Sequence, residues 1–183
     1  MQHTSSDISF FKGFSIRKAA GIVVLGLICA LSLPVRAQMP FPPPNQLQVF
    51  NVMGLNFGSF YPSSTTGTVT ISPTGGRSSS GVVLDMGNIG NQAIFDVMLV
   101  PGRLVSMSWQ SSVTLSNGSY SMTMQIGPTD KVNINETSAE FVTTSGSPFR
   151  NPVSFGGTLT VGSTAVNPPG DYSGTFEVTF HQN

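Results

Sequence analysis

Beyond its opening stretch the sequence holds one histidine, His181, and that limits the chemistry open to it. A serine nucleophile works against a histidine base, so the many serines share one candidate partner near the end of the chain. The Gly-x-Ser-x-Gly elbow, the phosphate loop and the dinucleotide fingerprint do not occur in the sequence. Zinc draws on three or four His, Cys or carboxylate ligands, and no usual set can be assembled from these residues. Glu136 and Glu140 would serve as the acid and base of glycoside cleavage only across a defined separation in a cleft, and nothing around them resembles one. Asp130, Asn133 and Asn135 in "DKVNINE" offer oxygens to calcium, but the glycine and distal glutamate of a calcium loop are missing, so the stretch reads as a solvated turn. Trp109, the single tryptophan, reads as an inward core ring rather than a sugar-stacking platform. Asn117 and Asn135 head Asn-x-Ser/Thr sequons, which matter only in a host that glycosylates exported proteins. These residues point away from an enzyme and away from a bound metal or cofactor.

The segment ahead of these residues reads as an address. Arg17 and Lys18 precede the apolar run "AAGIVVLGLICALSL" over residues 19–33, and "VRA" then sets small residues at the positions a signal peptidase reads. A spanning helix wants about 20 apolar residues, and Pro34 closes this run early, so residues 1–37 are expected to be a cleavable signal peptide, cut between Ala37 and Gln38. No membrane span is expected to remain after that cut. Cys29, the only cysteine, follows Leu27 and Ile28 rather than a small residue, which argues against lipid anchoring. The remainder carries no cysteine, so an exported domain must be held by its core alone. Residues 38–183 keep four basic and seven acidic side chains, a net charge of −3. That leaves no basic stripe for phosphates and argues against nucleic acid as a partner.

Residues 38–46 include the proline-rich "MPFPPPNQ", expected to be extended and semi-rigid. Residues 47–183 read as one domain of short strands. Gly, Pro, Ser, Thr and Asn punctuate the chain every few residues, and the runs between them alternate with a period of two. Val69 and Ile71 alternate with threonines, and Met122, Met124 and Ile126 follow Tyr120 on one face. Asp96 interrupts the apolar run at 94–100, as a strand with one partly wet face would have it. Strands are expected near 47–53, 67–72, 81–85, 93–100, 104–109, 112–115, 120–126, 139–143, 153–161 and 172–181, in an antiparallel sandwich or barrel. "SNGS" reads as a hairpin turn in which Asn117 and Gly118 both take positive φ angles. The methionines on strand positions, Met98, Met107, Met122 and Met124, read as core filling.

Three stretches carry a resemblance: "LNFGSF" at 55–60, "GTVTISPTGGRSSSGVVL" at 67–84 and "GGTLTVGSTAVNPPGDYSGTFEVTFHQN" at 156–183. Together they resemble the bacterial secreted family known as domain of unknown function 4402. The resemblance implies an all-β, Ig-like or pilin-like sandwich behind a signal peptide, on or outside the inner membrane, and implies no activity.

Two functions follow as expectations. The first is an exported, non-enzymatic structural or adhesive protein, a pilus- or surface-fibre-like subunit whose partners would be other subunits or a periplasmic chaperone. Phe176, Val178 and Phe180 would then line a closing or exchanged terminal strand. The second is a self-complete periplasmic or secreted module that binds glycan or protein through its loops, with Trp109, Tyr61, Phe149 and Tyr172 as candidates if exposed. Sandwiches host many functions, so the fold alone does not choose. Either way the protein is expected in the periplasm, at the cell surface or outside.

Overall fold

The structure is a computed structural model that describes residues 45–144 and 149–183. The expected cleavage junction at Ala37 and Gln38 lies outside the described residues, as does most of the proline-rich lead-in. Every named strand pairing is antiparallel, and no described residue is helical. The fold is all-β, with sheets that meet over a common core.

The larger sheet is organised by its longest strand, β12 (Arg150–Val161). One edge of β12 is shared in succession. Arg150–Phe155 pair with β6 (Ala93–Met98), and Gly157–Val161 pair with β3 (Gly67–Ile71). The handover falls on Gly156 and Gly157, and a Cβ on Gly156 would lie 2.3 Å from the carbonyl oxygen of Ile71. Only a residue without a side chain lets the end of β3 pass that close. The other edge of β12 carries β9 (Tyr120–Thr129), and β8 (Ser112–Asn117) pairs beyond it. β1 (Gln48–Met53) closes the sheet beside β6, and β4 (Arg77–Ser80) closes it beside β3. The smaller sheet runs β10 (Val132–Asn135), β11 (Ser138–Val142), β7 (Leu104–Trp109), β13 (Val178–Gln182). A two-stranded ribbon joins β2 (Phe60–Pro62) to β5 (Val82–Leu84).

The core lies between the inner faces. Val69, Ile71, Val97, Val153, Phe155 and Val161 from the larger sheet meet Val105, Met107, Trp109 and Ala139 from the smaller, all buried. Burying one such large aliphatic or aromatic side chain stabilises the fold by about 1.5–3 kcal/mol relative to leaving it in water. The Trp109 ring meets Phe155 edge to face at 5.0 Å, a favoured aromatic geometry. Trp109 is 7% exposed, so the core-ring reading holds. Met107, Met122 and Met124 are buried as core fillers, while Met98 is half-buried.

Several expectations are corrected. β2, β4 and β10 were not foreseen. "RSSS" and "FYP" carry no period-two apolar signal, and "VNIN" alternates over only four residues. Asp96 is not on a wet face: it is 5% exposed and ion-paired with Arg150, which neutralises a carboxylate that burial would otherwise disfavour. In the β8–β9 hairpin the loop is Gly118–Ser119, and Gly118 alone takes positive φ, at 60°, as a type II′ turn requires; Asn117 belongs to the strand. The last strand begins at Val178 rather than near 172. Ser173 pairs with Ser116 of β8 through two backbone bonds, and the chain then crosses to β7, leaving residues 174–177 without a ladder.

Candidate functional site: open strand edges and a walled groove

β1 is exposed along its whole length. Val49, Phe50, Val52 and Met53 are 37–50% exposed, and among the described residues only β6 pairs with it. None of its six residues is charged. β10 forms a second such edge, with Val132 69% and Ile134 58% exposed, and its four residues are also uncharged.

Next to the Met53 end of β1 opens a groove of about 1070 Å³. Its floor is the inner face of β8, β9 and β12, through Leu115, Met122, Met124 and Leu159. Irregular chain, not strands of the smaller sheet, makes most of its walls. The first wall, residues 54–62, ends in β2. The Arg77 guanidinium holds it, donating from Nη1 to the carbonyls of Asp85 and Asn88, both at 2.9 Å, and from Nη2 to that of Ser59 at 2.7 Å. Burial lowers the Arg77 pKa below its ordinary value, and the Asp85 carboxylate partly offsets this. Asn56 and Asn91 exchange both backbone bonds, at 2.9 and 2.8 Å. Gly58 (φ 67°) and Gly90 (φ 73°) let the two segments touch: a Cβ on Gly58 would sit 2.1 Å from the Asn88 oxygen. Arg77 is thus a three-carbonyl clamp.

The second wall is residues 167–176. Asn167, 3% exposed, accepts from the Gly162 amide at 2.6 Å and donates to the Ser121 carbonyl at 2.8 Å. The Tyr172 hydroxyl donates to the Pro168 carbonyl at 3.0 Å, and the Ser173–Ser116 pair fixes the far end. Among the residues lining the groove only Asp171 is charged, while Phe57, Phe60, Tyr61, Tyr172 and Phe176 make it rich in aromatics.

The residues singled out from the sequence divide accordingly. Tyr61, 64% exposed, and Tyr172 come together in the groove. Phe149 is half-buried at φ 66°, apart from that lining. Trp109 faces the core. Phe176, Val178 and Phe180 are half-buried: Phe176 packs near Phe95 and Phe155, Val178 pairs opposite Trp109, and Phe180 pairs opposite Met107 and meets Phe95 at 5.8 Å. The terminal strand is therefore integral to the smaller sheet. Asp130 spends its carboxylate on Lys131 and on the Ser154 amide, and Asn135 turns its side-chain oxygen to the Thr137 amide. Among the described residues no cluster of His, Cys, Asp or Glu could hold a metal ion. The β10 edge and the methionine floor were missed. The uncharged alternation of "VNIN" is a signal for the first, and the second needs the sheets placed.

The geometry defines a class: an antiparallel β-sandwich-like domain with uncharged open edges and a walled groove. The chain belongs to the family described as domain of unknown function (DUF4402), whose model matches residues 47–181. No curated protein and no solved structure matches the chain.

Proposed function

We infer that this chain is an exported, non-enzymatic structural or adhesive subunit of the pilus or surface-fibre kind, which joins copies of itself through its open edges. The observation that carries this reading is β1, an apolar, uncharged and wholly exposed edge strand. Soluble sheets guard such edges with charges, prolines, bulges or a covering loop. β1 has one irregularity, between Asn51 and Met53, and no charge. A second edge of the same kind, β10, lets association go beyond a pair, because one interface alone closes a dimer while two can extend it. Export rests on the apolar run before Ala37 and Gln38. It would put the protein in the periplasm, at the cell surface or outside, where other subunits or a periplasmic chaperone would meet these edges.

The test is light scattering on gel-filtered protein, purified in whatever form an expressing cell makes from the full reading frame, its N-terminus read by mass spectrometry. Multimers are expected at micromolar concentration. Val52→Lys should reduce the multimers to pairs or smaller, because only the β10 edge is left, in a chain that melts within a few degrees of wild type, since Val52 is half exposed. A wild-type chain that stays monomeric, or a Val52→Lys variant that associates as before, overturns the reading.

A further inference from the structure

The groove beside β1 has walls, an apolar floor and no occupant from the described chain, and the sequence contains a segment suited to it. We propose that the groove binds the proline-rich lead-in, residues 39–44, of a second copy of this chain, docked when the two copies pair along β1. This rests on the reading of β1 as an association edge and adds what the association brings together.

The first argument is chemical. Proline-rich segments favour the extended polyproline II helix, which binds in grooves lined by aromatic rings because little ordering entropy is lost. The groove presents Phe60, Tyr61, Tyr172 and Phe176, and "MPFPPP" supplies prolines and one phenylalanine, Phe41. Neither side has charge to desolvate except Asp171. Tyr61 stands out at 64% exposure, the behaviour of a ring waiting for a flat apolar neighbour.

The second argument is geometric. Two identical edges pair most simply about a two-fold axis, which makes the strands antiparallel. Centred on β1, that pairing sets Gln48 of each copy opposite Met53 of the other. Traced backwards from Gln48, the partner's chain is then carried toward this copy's Met53 end, and the lead-in departs from the bend at Asn45 and Gln46. The Met53 end leads along Gly54 and Leu55 into the groove, which Asn51 and Met53 also line. Six residues in polyproline II reach about 19 Å, at roughly 3.1 Å each. Both copies make the same insertion, so the pair carries two lead-ins in two grooves. The β10 edges stay open for pairs to join further.

The test is a double-mutant cycle on the association constant of the same purified protein, measured by sedimentation. Phe41→Ala and Tyr61→Ala should each weaken pairing about a hundredfold, the loss of an aromatic anchor worth about tenfold in each of the two grooves, and together by not much more, since they remove the same contact. A synthetic peptide of residues 39–46 should compete and dissociate the pairs. Phe41→Ala pairing like wild type, or the two losses simply multiplying, overturns the assignment. If Val52→Lys abolishes pairing while Phe41→Ala and Tyr61→Ala leave it intact, the β1 edge stands and the groove assignment falls. If Phe41→Ala instead lowers the melting temperature and leaves pairing unchanged, the lead-in fills its own copy's groove, which also overturns the second-copy assignment.

Discussion

Replacing Arg77 with methionine tests whether the first wall is held by the guanidinium rather than by its own packing. The side chain donates to the carbonyls of Asp85, Asn88 and Ser59 at 2.7–2.9 Å. A hydrogen bond to a charged group contributes about 1.5–3 kcal/mol. Two of these three lie in exposed surroundings, where water replaces a lost donor, so the sum is discounted to about 2–3 kcal/mol. For a domain of this size that lowers the melting temperature by about 4–10 °C. Methionine keeps an apolar stem of similar reach, which isolates the loss of the donors. Arg77→Lys should recover only part of the difference, because an ammonium cannot present the planar fork that spans three carbonyls. The assay is thermal unfolding by circular dichroism together with limited proteolysis, and the variant should be nicked between residues 54 and 62 faster than wild type. A methionine variant within about 0.5 kcal/mol of wild type, the usual range for a surface change, with an unchanged cleavage pattern would show that the wall stands without its clamp.

Gly58→Ala should destabilise the domain by about 2 kcal/mol or more in denaturant titration, because φ 67° strains an alanine and its Cβ would fall 2.1 Å from the Asn88 oxygen; retained stability would mean the two segments part easily. Asn167→Ala leaves the Gly162 amide and Ser121 carbonyl without their buried partner, a loss of about 1–3 kcal/mol that chemical denaturation will read. Trp109→Ala should cost about 3–5 kcal/mol, while the native indole should emit in the blue and resist iodide quenching, since Trp109 is 7% exposed. Ready quenching would put the ring at the surface and reopen the sugar-platform reading.

Strand interiors were legible wherever apolar residues alternate over five or more positions. β7 matches its expected limits, Leu104–Trp109, because alternation runs from one end to the other. β9 outran its expected end at 126 because Thr129 is buried and pairs with Phe155, a contact set by a partner strand far along the chain. β4 is held by its neighbour β3 and shows no apolar pattern in "RSSS". Of the candidate site, Tyr61 and Tyr172 were legible as aromatics in turn-rich stretches. The floor was legible only as inward-facing residues: Leu115, Met122, Met124 and Leu159 look like any core face. What sequence does not carry is that irregular segments, rather than a second layer of strands, would cover them. That outcome depends on where Gly174 lets the chain pass 2.6 Å from the Thr114 oxygen, measured to the Cβ it lacks, before crossing to β7.

The walls supply the strongest argument that the groove is for recognition. Protein interiors close gaps by side-chain packing to the density of organic crystals, and a gap of this size between flexible loops would collapse. Here each wall is pinned to its own support: Arg77 and the Asn56–Asn91 pair on one side, Asn167, Tyr172 and the Ser173–Ser116 pair on the other. Walls fixed in advance spare a ligand the ordering entropy that otherwise weakens association. The same reasoning ties the clamp to the docking proposal. If the lead-in needs a standing wall, Arg77→Met should weaken binding of the residues 39–46 peptide even at temperatures where the variant is fully folded. If binding instead survives a loosened wall, recognition does not depend on the clamp.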